Sequence, residues 1–214
     1  MTRVADAVER FAPVFDEVGR DAVARELARR LPHDEVALLR RAGFTRVTVP
    51  EEFGGGGEPP SVLFALLAEL GRRDPNLAQL LRSHFSFVDR TILSPDSEER
   101  SRRLALVAGG AIIGNATHER SSAKVGALST TLTGSPDGLR LDGTKYYSTG
   151  TLFADLVSVA AQDDDGALVA ALVSTAAAGV DVVDDWRGFG QRLTGSGTTV
   201  FRSVVVDEDA VARR

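Results

Sequence analysis

Residues 142–150 read Asp-Gly-Thr-Lys-Tyr-Tyr-Ser-Thr-Gly, and the prediction for the second half of the chain depends on this stretch. A second run of the same character occupies residues 185–206: Asp-Trp-Arg-Gly-Phe-Gly-Gln-Arg-Leu-Thr-Gly-Ser-Gly-Thr-Thr-Val-Phe-Arg-Ser-Val-Val-Val. Both runs place aromatic and hydroxyl side chains in or beside a predicted β-strand, and their glycines let a flat ligand approach the backbone. They therefore predict a sheet that faces a bound ligand.

Short segments rich in Val, Thr and Ile surround these runs, separated by Gly, Asp and Pro. Such segments predict strands, and the sequences Ser-Pro-Asp-Gly at 135–138 and Asp-Asp-Asp-Gly at 163–166 predict turns. The predicted strands span residues 111–116, 127–133, 139–147, 156–161, 167–173, 180–183 and 198–206. We therefore expect an all-β domain over residues 107–214, built as two packed sheets (a sandwich) or a flattened barrel.

The first half of the chain has a helical pattern. Apolar residues recur at helical spacing over residues 4–41, which predicts two or three amphipathic helices broken at Gly19 and Pro32. Further helices are predicted over 62–73 with Ser61 as the cap, from after residue 76 to about residue 92, and over 97–107. Residues 1–106 thus form a predicted N-terminal α-helical domain, and the fold class of the chain is α+β.

The composition excludes several classes of site and partner. Acids and bases are interspersed in a chain of net charge −5, so a nucleic-acid partner is not expected. The sequence contains no Cys, which rules out disulfides and thiolate zinc sites, and its three histidines are too scattered to predict a metal site. The first thirty residues contain neither a signal-peptide core nor a membrane span, which predicts a cytoplasmic protein with no membrane partner.

Three motifs resemble the acyl-CoA dehydrogenase superfamily of flavoproteins. They are Val-Pro-Glu-Glu-Phe-Gly-Gly at 49–55, Tyr-Tyr-Ser-Thr-Gly at 146–150, and Gly-Gln-Arg-Leu-Thr-Gly-Ser-Gly-Thr at 190–198. The last two look most like the flavin-dependent monooxygenases that share the dehydrogenase fold. This resemblance implies FAD or FMN as the cofactor. It also implies that a separate flavin reductase supplies the reduced flavin, which reacts with oxygen to hydroxylate a small organic substrate.

Two other functions stay open beside the monooxygenase. One is an FAD-dependent acyl-CoA dehydrogenase, in which the Thr-Glu of the corresponding segment is followed by Gly-Ser-Asp that helps to hold the cofactor and acyl-CoA. This chain instead reads Thr-His-Glu-Arg-Ser-Ser-Ala-Lys at 117–124, which argues against a CoA thioester. The other is a non-catalytic remnant or interaction module.

The resemblance also implies roles for individual residues near the flavin. Tyr147 matches a position at the flavin ring, and Thr149 matches a hydroxyl that hydrogen-bonds near N5. In a strand these two side chains would share one face, with Ser148 on the other. Ser148 is also a predicted flavin-binding residue. The segment that passes the pyrimidine edge of the flavin matches Asn115, Ala116 and Thr117.

Further residues carry both a functional and a structural interpretation. Ser196 lies in a Gly-Ser-Gly turn that either brings donors to the cofactor or simply precedes a strand. His84 matches a pocket-lining His in the monooxygenases and is the candidate catalytic residue, although a mid-helix His among apolar neighbours is more often a core residue. Trp186 and Phe189 either line the substrate pocket or belong to the core.

In the family, a C-terminal helical bundle follows the β-domain and completes the site. That bundle is absent from these 214 residues. The apolar surface that the bundle normally covers would favour association, so a homo-oligomer or a partner chain supplying the bundle is expected.

Overall fold

A computed structural model describes residues 2–120, 128–136 and 138–213. It contains two compact units, Met1–Ile112 with Gly188–Thr194 and Ile113–Arg187 with Gly195–Arg214. Three sequence-based predictions lie partly outside the described residues: the start of the 127–133 strand, the 135–138 turn at Asp137, and the motif departure after Arg120. Within the described part of the chain, none of the helices has the length and apolarity needed to cross a membrane.

The first unit is helical, as the sequence predicts. Its helices are α1 (Arg3–Gly19), α2 (Ala22–Ala28), α3 (His33–Arg41), α4 (Pro60–Arg73), α5 (Pro75–Leu80), α6 (Arg82–Leu93) and α7 (Glu98–Ala108), with 3-10 turns at Phe44–Arg46 and Glu51–Phe53. Thr2 and Ser97 cap α1 and α7, since their side chains accept hydrogen bonds from the first-turn amides of Ala5 and Arg100.

Two details of the helix prediction are wrong. Ser61 is not the cap of α4, because the helix already begins at Pro60, whose fixed φ suits a first helical position. The segment after residue 74 is not one helix, because α5 and α6 are separate and meet at Leu81, which has φ −82° and ψ −8°. Asp74 caps α5 by accepting hydrogen bonds from the amides of Asn76 and Leu77.

A phenylalanine cluster and a buried ion-pair network hold the first unit together. The rings of Phe15 and Phe44 lie 5.2 Å apart, edge to face, and those of Phe44 and Phe85 lie 5.3 Å apart. The Arg25 guanidinium donates to Asp74 at 2.7 Å and to Glu35 at 2.8 Å, and both Arg25 and Asp74 have side chains only 1% exposed. Because a buried charge needs a partner, these residues depend on one another.

The second unit is all-β, which confirms the α+β fold class. Its strands are β1 (Ile113–Ala116), β2 (Thr131–Ser135), β3 (Gly138–Lys145), β4 (Leu156–Asp163), β5 (Leu168–Ser174), β6 (Val180–Val183), β7 (Thr198–Val206) and β8 (Val211–Arg213). They form one sheet in the order β6-β7-β3-β2-β4-β5-β8, and β1 pairs in parallel with β4. The sequence pattern does not predict β8, which has only three residues.

One core lies inside this sheet. Strands β2 and β4 join through only two residue pairs, Thr131 with Gln162 and Leu132 with Asp163. Buried residues of β3 and β7 nevertheless share a single hydrophobic cluster with those of β4 and β5, including Leu141, Val159, Ala171 and Val204. The sheet must therefore curve at the narrow β2–β4 join to bury one face, which is nearer to a flattened barrel than to two separate sheets.

Candidate functional site

The turn that follows β3 carries the central candidate residues. Strand β3 ends at Lys145, and Tyr147 then adopts a left-handed backbone with φ +55°. The amide of Thr149 donates to the Tyr147 carbonyl at 2.8 Å, closing a tight turn. The predicted strand up to residue 147 is therefore too long, and the strand argument that Tyr147 and Thr149 share a face is wrong.

In the turn, Tyr147 is exposed, whereas the side chains of Ser148 and Thr149 are both buried. Tyr147 is 46% exposed, whereas Ser148 and Thr149 are only 1% and 6% exposed. A left-handed conformation is unfavourable for an aromatic residue, and residues held in such conformations are enriched at active sites and ligand-binding sites. The turn thus presents a half-exposed aromatic ring next to two buried hydroxyl groups.

A second turn, residues 195–197, packs against the first. The Thr149 Oγ1 and Ser196 Oγ atoms lie 2.8 Å apart, and the Ser148 amide donates to the Gly197 carbonyl at 3.0 Å. A side chain at position 197 would overlap the Val183 carbonyl oxygen, so the close approach of this turn to the end of β6 requires glycine. Ser196 therefore lies in a tight turn before β7, and its hydroxyl also contacts Thr149 of the predicted flavin site. This position is compatible with both interpretations of the Gly-Ser-Gly motif.

The hydroxyl groups of Ser148 and Thr199 are the two buried hydroxyl groups without a partner among the described residues of the second unit, and Ser148 is the one in the predicted site. Its Oγ is buried and has no hydrogen-bond partner among the described residues. Buried hydroxyl groups nearly always find a partner, because leaving one unsatisfied costs about 1–3 kcal/mol. A group that binds at this turn and hydrogen-bonds to Ser148 would remove that cost.

Two rings and a guanidinium lie beside the exposed tyrosine, Tyr147. The ring of Tyr147 meets His118 at 5.9 Å and Trp186 at 6.1 Å, both edge to face. The Arg120 guanidinium lies 4.3 Å from the Tyr146 ring centroid and 5.8 Å from that of Tyr147. Trp186 therefore lies beside Tyr147, close to the predicted flavin site.

Strand β1 joins the same turn through Thr151. The Asn115 amide donates to Thr151 Oγ1 at 3.2 Å, and the Thr151 amide donates to the Ser148 carbonyl at 3.1 Å. The Asn115 side chain donates to Thr117 Oγ1 at 3.4 Å. Ala116 is fully buried within the sheet core, so a ligand at this strand would meet its backbone rather than its methyl group.

A buried ion pair beneath the turn was not predicted from the sequence. Lys145 Nζ lies 2.6 Å from Glu119 Oε1, with the two side chains 0% and 6% exposed. Burial opposes ionisation of Glu119, but hydrogen bonds from Lys145, Ser129 and Thr130 more than offset it and lower its pKa from 4.5 to about 2. Burial also lowers the pKa of Lys145, and the bond to Glu119 opposes that effect. The one sequence signal that could have indicated this ion pair is a lysine, Lys145, inside a predicted strand, where a charged side chain needs a partner if it is buried.

The remaining candidates, His84 and Phe189, belong to the first unit. His84 is fully buried, its Nε2 lies 2.6 Å from the Thr45 carbonyl oxygen, and its ring packs edge to face on Phe85. These contacts fit the core interpretation of this histidine. Phe189 is fully exposed, in the segment 188–194. A catalytic role for His84 and a pocket role for Phe189 stay predictions.

The described residues contain no cluster of three or more His, Asp or Glu side chains that could hold a metal ion. The groups that line the two turns are backbone amides, neutral hydroxyl groups and aromatic rings, with the Arg120 guanidinium beside Tyr147. Such a set of groups suits a planar heterocyclic ligand with carbonyl and ring-nitrogen atoms at its edge.

Comparison with known proteins supports a flavoprotein relationship. The family model described as acyl-CoA dehydrogenase, N-terminal domain, matches residues 2–109. Dibenzothiophene monooxygenase of Rhodococcus qingshengii is 32% identical over 200 residues, which are 89% of this chain and 47% of that protein. Amino sugar nitrososynthase DnmZ of Streptomyces peucetius is 31% identical over 227 residues, which are 99% of this chain and 53% of that protein.

A solved structure is similar over nearly the whole chain. The FMN-bound structure of TdsC, a dibenzothiophene monooxygenase of Paenibacillus sp. A11-2, superposes with a TM-score of 0.87 at 31% identity. The superposition covers 96% of this chain and 53% of that one. The chain thus spans about half the length of the curated relatives it matches.

Proposed function

Because the chain belongs to the acyl-CoA dehydrogenase N-terminal domain family, we propose that it forms the flavin-binding part of a monooxygenase that oxidises a small organic substrate. FMN or FAD is the cofactor in this proposal, and a separate flavin reductase supplies its reduced form. The identities of 32% and 31% to two dibenzothiophene monooxygenases, one of them solved with FMN bound, extend over 89% and 96% of the chain and support this choice over the dehydrogenase. The proposal also includes assembly with a second copy or with a partner chain that supplies the helical bundle, and a cytoplasmic location.

The observation that carries the proposal is the meeting of the two turns. Thr149 and Ser196 come from the two motifs that resemble the flavin monooxygenases, and their hydroxyl groups lie 2.8 Å apart. The Ser148 hydroxyl is buried beside them without a partner among the described residues. A flavin ring offers several acceptor atoms at its edge, so it fits these donors.

Each residue of the turns has a separate task in binding. The half-exposed Tyr147 ring provides an aromatic surface for a planar ligand, and the Thr149 hydroxyl bonds to the ligand edge. Ser196 fixes the orientation of that hydroxyl, which lowers the entropy cost of binding. A bound flavin in its reduced state would supply the reaction with oxygen, while the buried hydroxyls limit access of water to the ligand edge.

Titration of the chain with FMN tests the proposal. Trp186 is the only tryptophan in the sequence and lies beside Tyr147, so a flavin bound there should quench its fluorescence. We expect saturable quenching by FMN and a roughly tenfold weaker affinity in Thr149→Val, since a hydrogen bond to a ligand contributes about 0.5–1.5 kcal/mol. Thr199→Val is the matched control, because it removes another buried hydroxyl from the same unit.

Two results would count against the proposal. The first is an absence of saturable quenching by either FMN or FAD. The second is an affinity that falls as much in Thr199→Val as in Thr149→Val, because the loss would then follow from any buried substitution in the sheet.

A further inference from the structure

Glu119 is held by an unusually complete set of hydrogen bonds. It accepts from Lys145 Nζ at 2.6 Å, from the Ser129 amide at 2.6 Å, and from the Thr130 amide and hydroxyl at 3.0 and 2.7 Å. These donors come from the segment before β2 and from the end of β3. One carboxylate therefore ties three separate parts of the chain together.

The neighbours of this pair in the sequence contact the exposed tyrosine. His118 and Arg120, on either side of Glu119, lie 5.9 and 5.8 Å from the Tyr147 ring. Lys145 is two residues before Tyr147, and the Tyr146 amide donates to the His118 carbonyl at 2.8 Å. Any displacement of Glu119 relative to Lys145 would therefore move Tyr147 relative to both of the groups that flank it.

Stability alone does not account for a charged pair at this position. A buried ion pair has a desolvation cost that often cancels its Coulomb attraction, so apolar residues of similar size are frequently as stable. A buried ion pair is, however, stable only when its two groups keep their hydrogen-bonding distance. It therefore sets the relative position of the two segments to which those groups belong.

We propose that Glu119 and Lys145 are a positioning pair for the flavin site, holding the segment 118–120 and the turn after β3 in the register that fixes the Tyr147 ring. Neither residue contacts the flavin in this account. The proposal rests on the proposed flavin-binding function for the choice of ligand, but the position of Tyr147 can be measured without any ligand.

Three variants separate positioning from stability. Glu119→Gln keeps the shape of the side chain and leaves Lys145 buried without a counter-charge. The double variant Glu119→Gln with Lys145→Met removes both charges, so it should recover much of the lost stability. Asp74→Asn is the matched control, because it breaks a buried ion pair of the first unit, Arg25 with Asp74, that has no part in the site.

The first measurement is Trp186 emission in the ligand-free protein. Since Trp186 packs on the edge of Tyr147, its emission maximum and intensity should change in Glu119→Gln and in the double variant. Asp74→Asn should leave the emission of the folded protein unchanged while lowering its melting temperature. Wild-type emission in a folded double variant would overturn the proposal, as would an equal change in Asp74→Asn.

The second measurement is FMN affinity. We expect roughly tenfold weaker binding in the double variant even where its melting temperature matches wild type, similar to the loss when partners that orient metal ligands are removed. Unchanged affinity in the double variant, with FMN binding to wild type, would overturn the positioning role alone. A wild-type protein that binds no flavin would instead contradict the proposed function, and the Trp186 measurement would still decide whether the pair positions Tyr147.

Discussion

The hydroxyl groups of Thr149 and Ser196 lie 2.8 Å apart although 47 residues separate them in the chain. Thr149 belongs to the turn that follows β3, and Ser196 to the turn that precedes β7. Strands β3 and β7 pair antiparallel, with Lys145 opposite Thr199, so their adjoining turns meet at the same end of the sheet. The two motifs quoted from the sequence are therefore one structural site.

Removing the Ser196 hydroxyl removes its hydrogen bond to Thr149 and should lower the stability of the protein. We expect Ser196→Ala to lower the free energy of unfolding by about 1 kcal/mol, because a buried hydroxyl bond contributes about 0.5–1.5 kcal/mol. Thr199→Val should be neutral or stabilising, since Thr199 Oγ1 is buried and has no partner among the described residues. Urea denaturation followed by circular dichroism gives both values. An equal loss in the two variants would show that the Thr149–Ser196 bond contributes nothing specific.

The close packing of the 195–197 turn against the end of β6 predicts a severe effect at Gly197. An added methyl group there would overlap the Val183 carbonyl oxygen and the Asp185 carboxylate, so the turn would have to move. We expect Gly197→Ala to lower the free energy of unfolding by about 2 kcal/mol or more, within the range for overpacking a folded interior. At Gly190 no atom of the described residues lies within 4 Å of where a methyl group would stand, so Gly190→Ala is the control and should change stability by less than about 0.5 kcal/mol. A tolerated Gly197→Ala would contradict the described turn geometry.

The low pKa of Glu119 predicts how stability changes with acid. A carboxyl whose pKa is about 2 when folded and 4.5 when unfolded stabilises the protein above pH 4.5 and loses that contribution as the pH falls towards 2. The contribution at neutral pH is about 3 kcal/mol, because one pKa unit corresponds to about 1.4 kcal/mol.

Glu119→Gln isolates this contribution, because glutamine does not titrate and the other carboxyl groups cancel in the comparison. Urea denaturation of both proteins from neutral pH to about pH 2 measures the difference in their free energies of unfolding. That difference should shrink as the pH falls through 4.5. A constant difference over this range would contradict an ionised Glu119 paired with Lys145.

The buried ion pair between Arg25 and Asp74 predicts that Asp74→Asn lowers the free energy of unfolding substantially. Asp74→Asn keeps an oxygen that can cap α5 but leaves Arg25 buried without its closest counter-charge. We expect a loss of about 3–5 kcal/mol in the free energy of unfolding, the range for breaking a buried pair by removing one partner. Arg10→Ala is the comparison, because Arg10 is largely exposed in its ion pair with Glu58 and should cost less than about 1 kcal/mol. Similar losses in the two variants would mean that the remaining ion pair with Glu35 is enough to compensate the Arg25 charge.

The sequence predicts the elements of this fold better than their ends. Apolar periodicity identifies the helices, and turn residues separate the strands, because both signals are local. The ends of β3 and of α5 depend on single backbone conformations, at Tyr147 and at Leu81, for which neither residue type has a preference. Neither end could therefore be predicted from residue types alone.

Only the site residues that lie in a recognisable sequence motif could be predicted. Tyr147, Thr149 and Ser196 come from motifs that resemble a family, and the structure brings Thr149 and Ser196 into contact. The Glu119–Lys145 pair joins residues 26 positions apart through the fold, and no local pattern marks such a contact. Whether two distant polar groups meet depends on the register of the strands that carry them. That register is set by the pairing of all strands in the sheet and not by the residues next to either group.

A crystal structure of the chain with oxidised FMN would show whether the two turns hold the flavin. We expect the flavin ring against Tyr147, with its edge within hydrogen-bond distance of the Thr149 or Ser148 hydroxyl. A flavin bound elsewhere on the chain, with the Thr149–Ser196 bond intact and the surface of Tyr147 facing solvent, would contradict it.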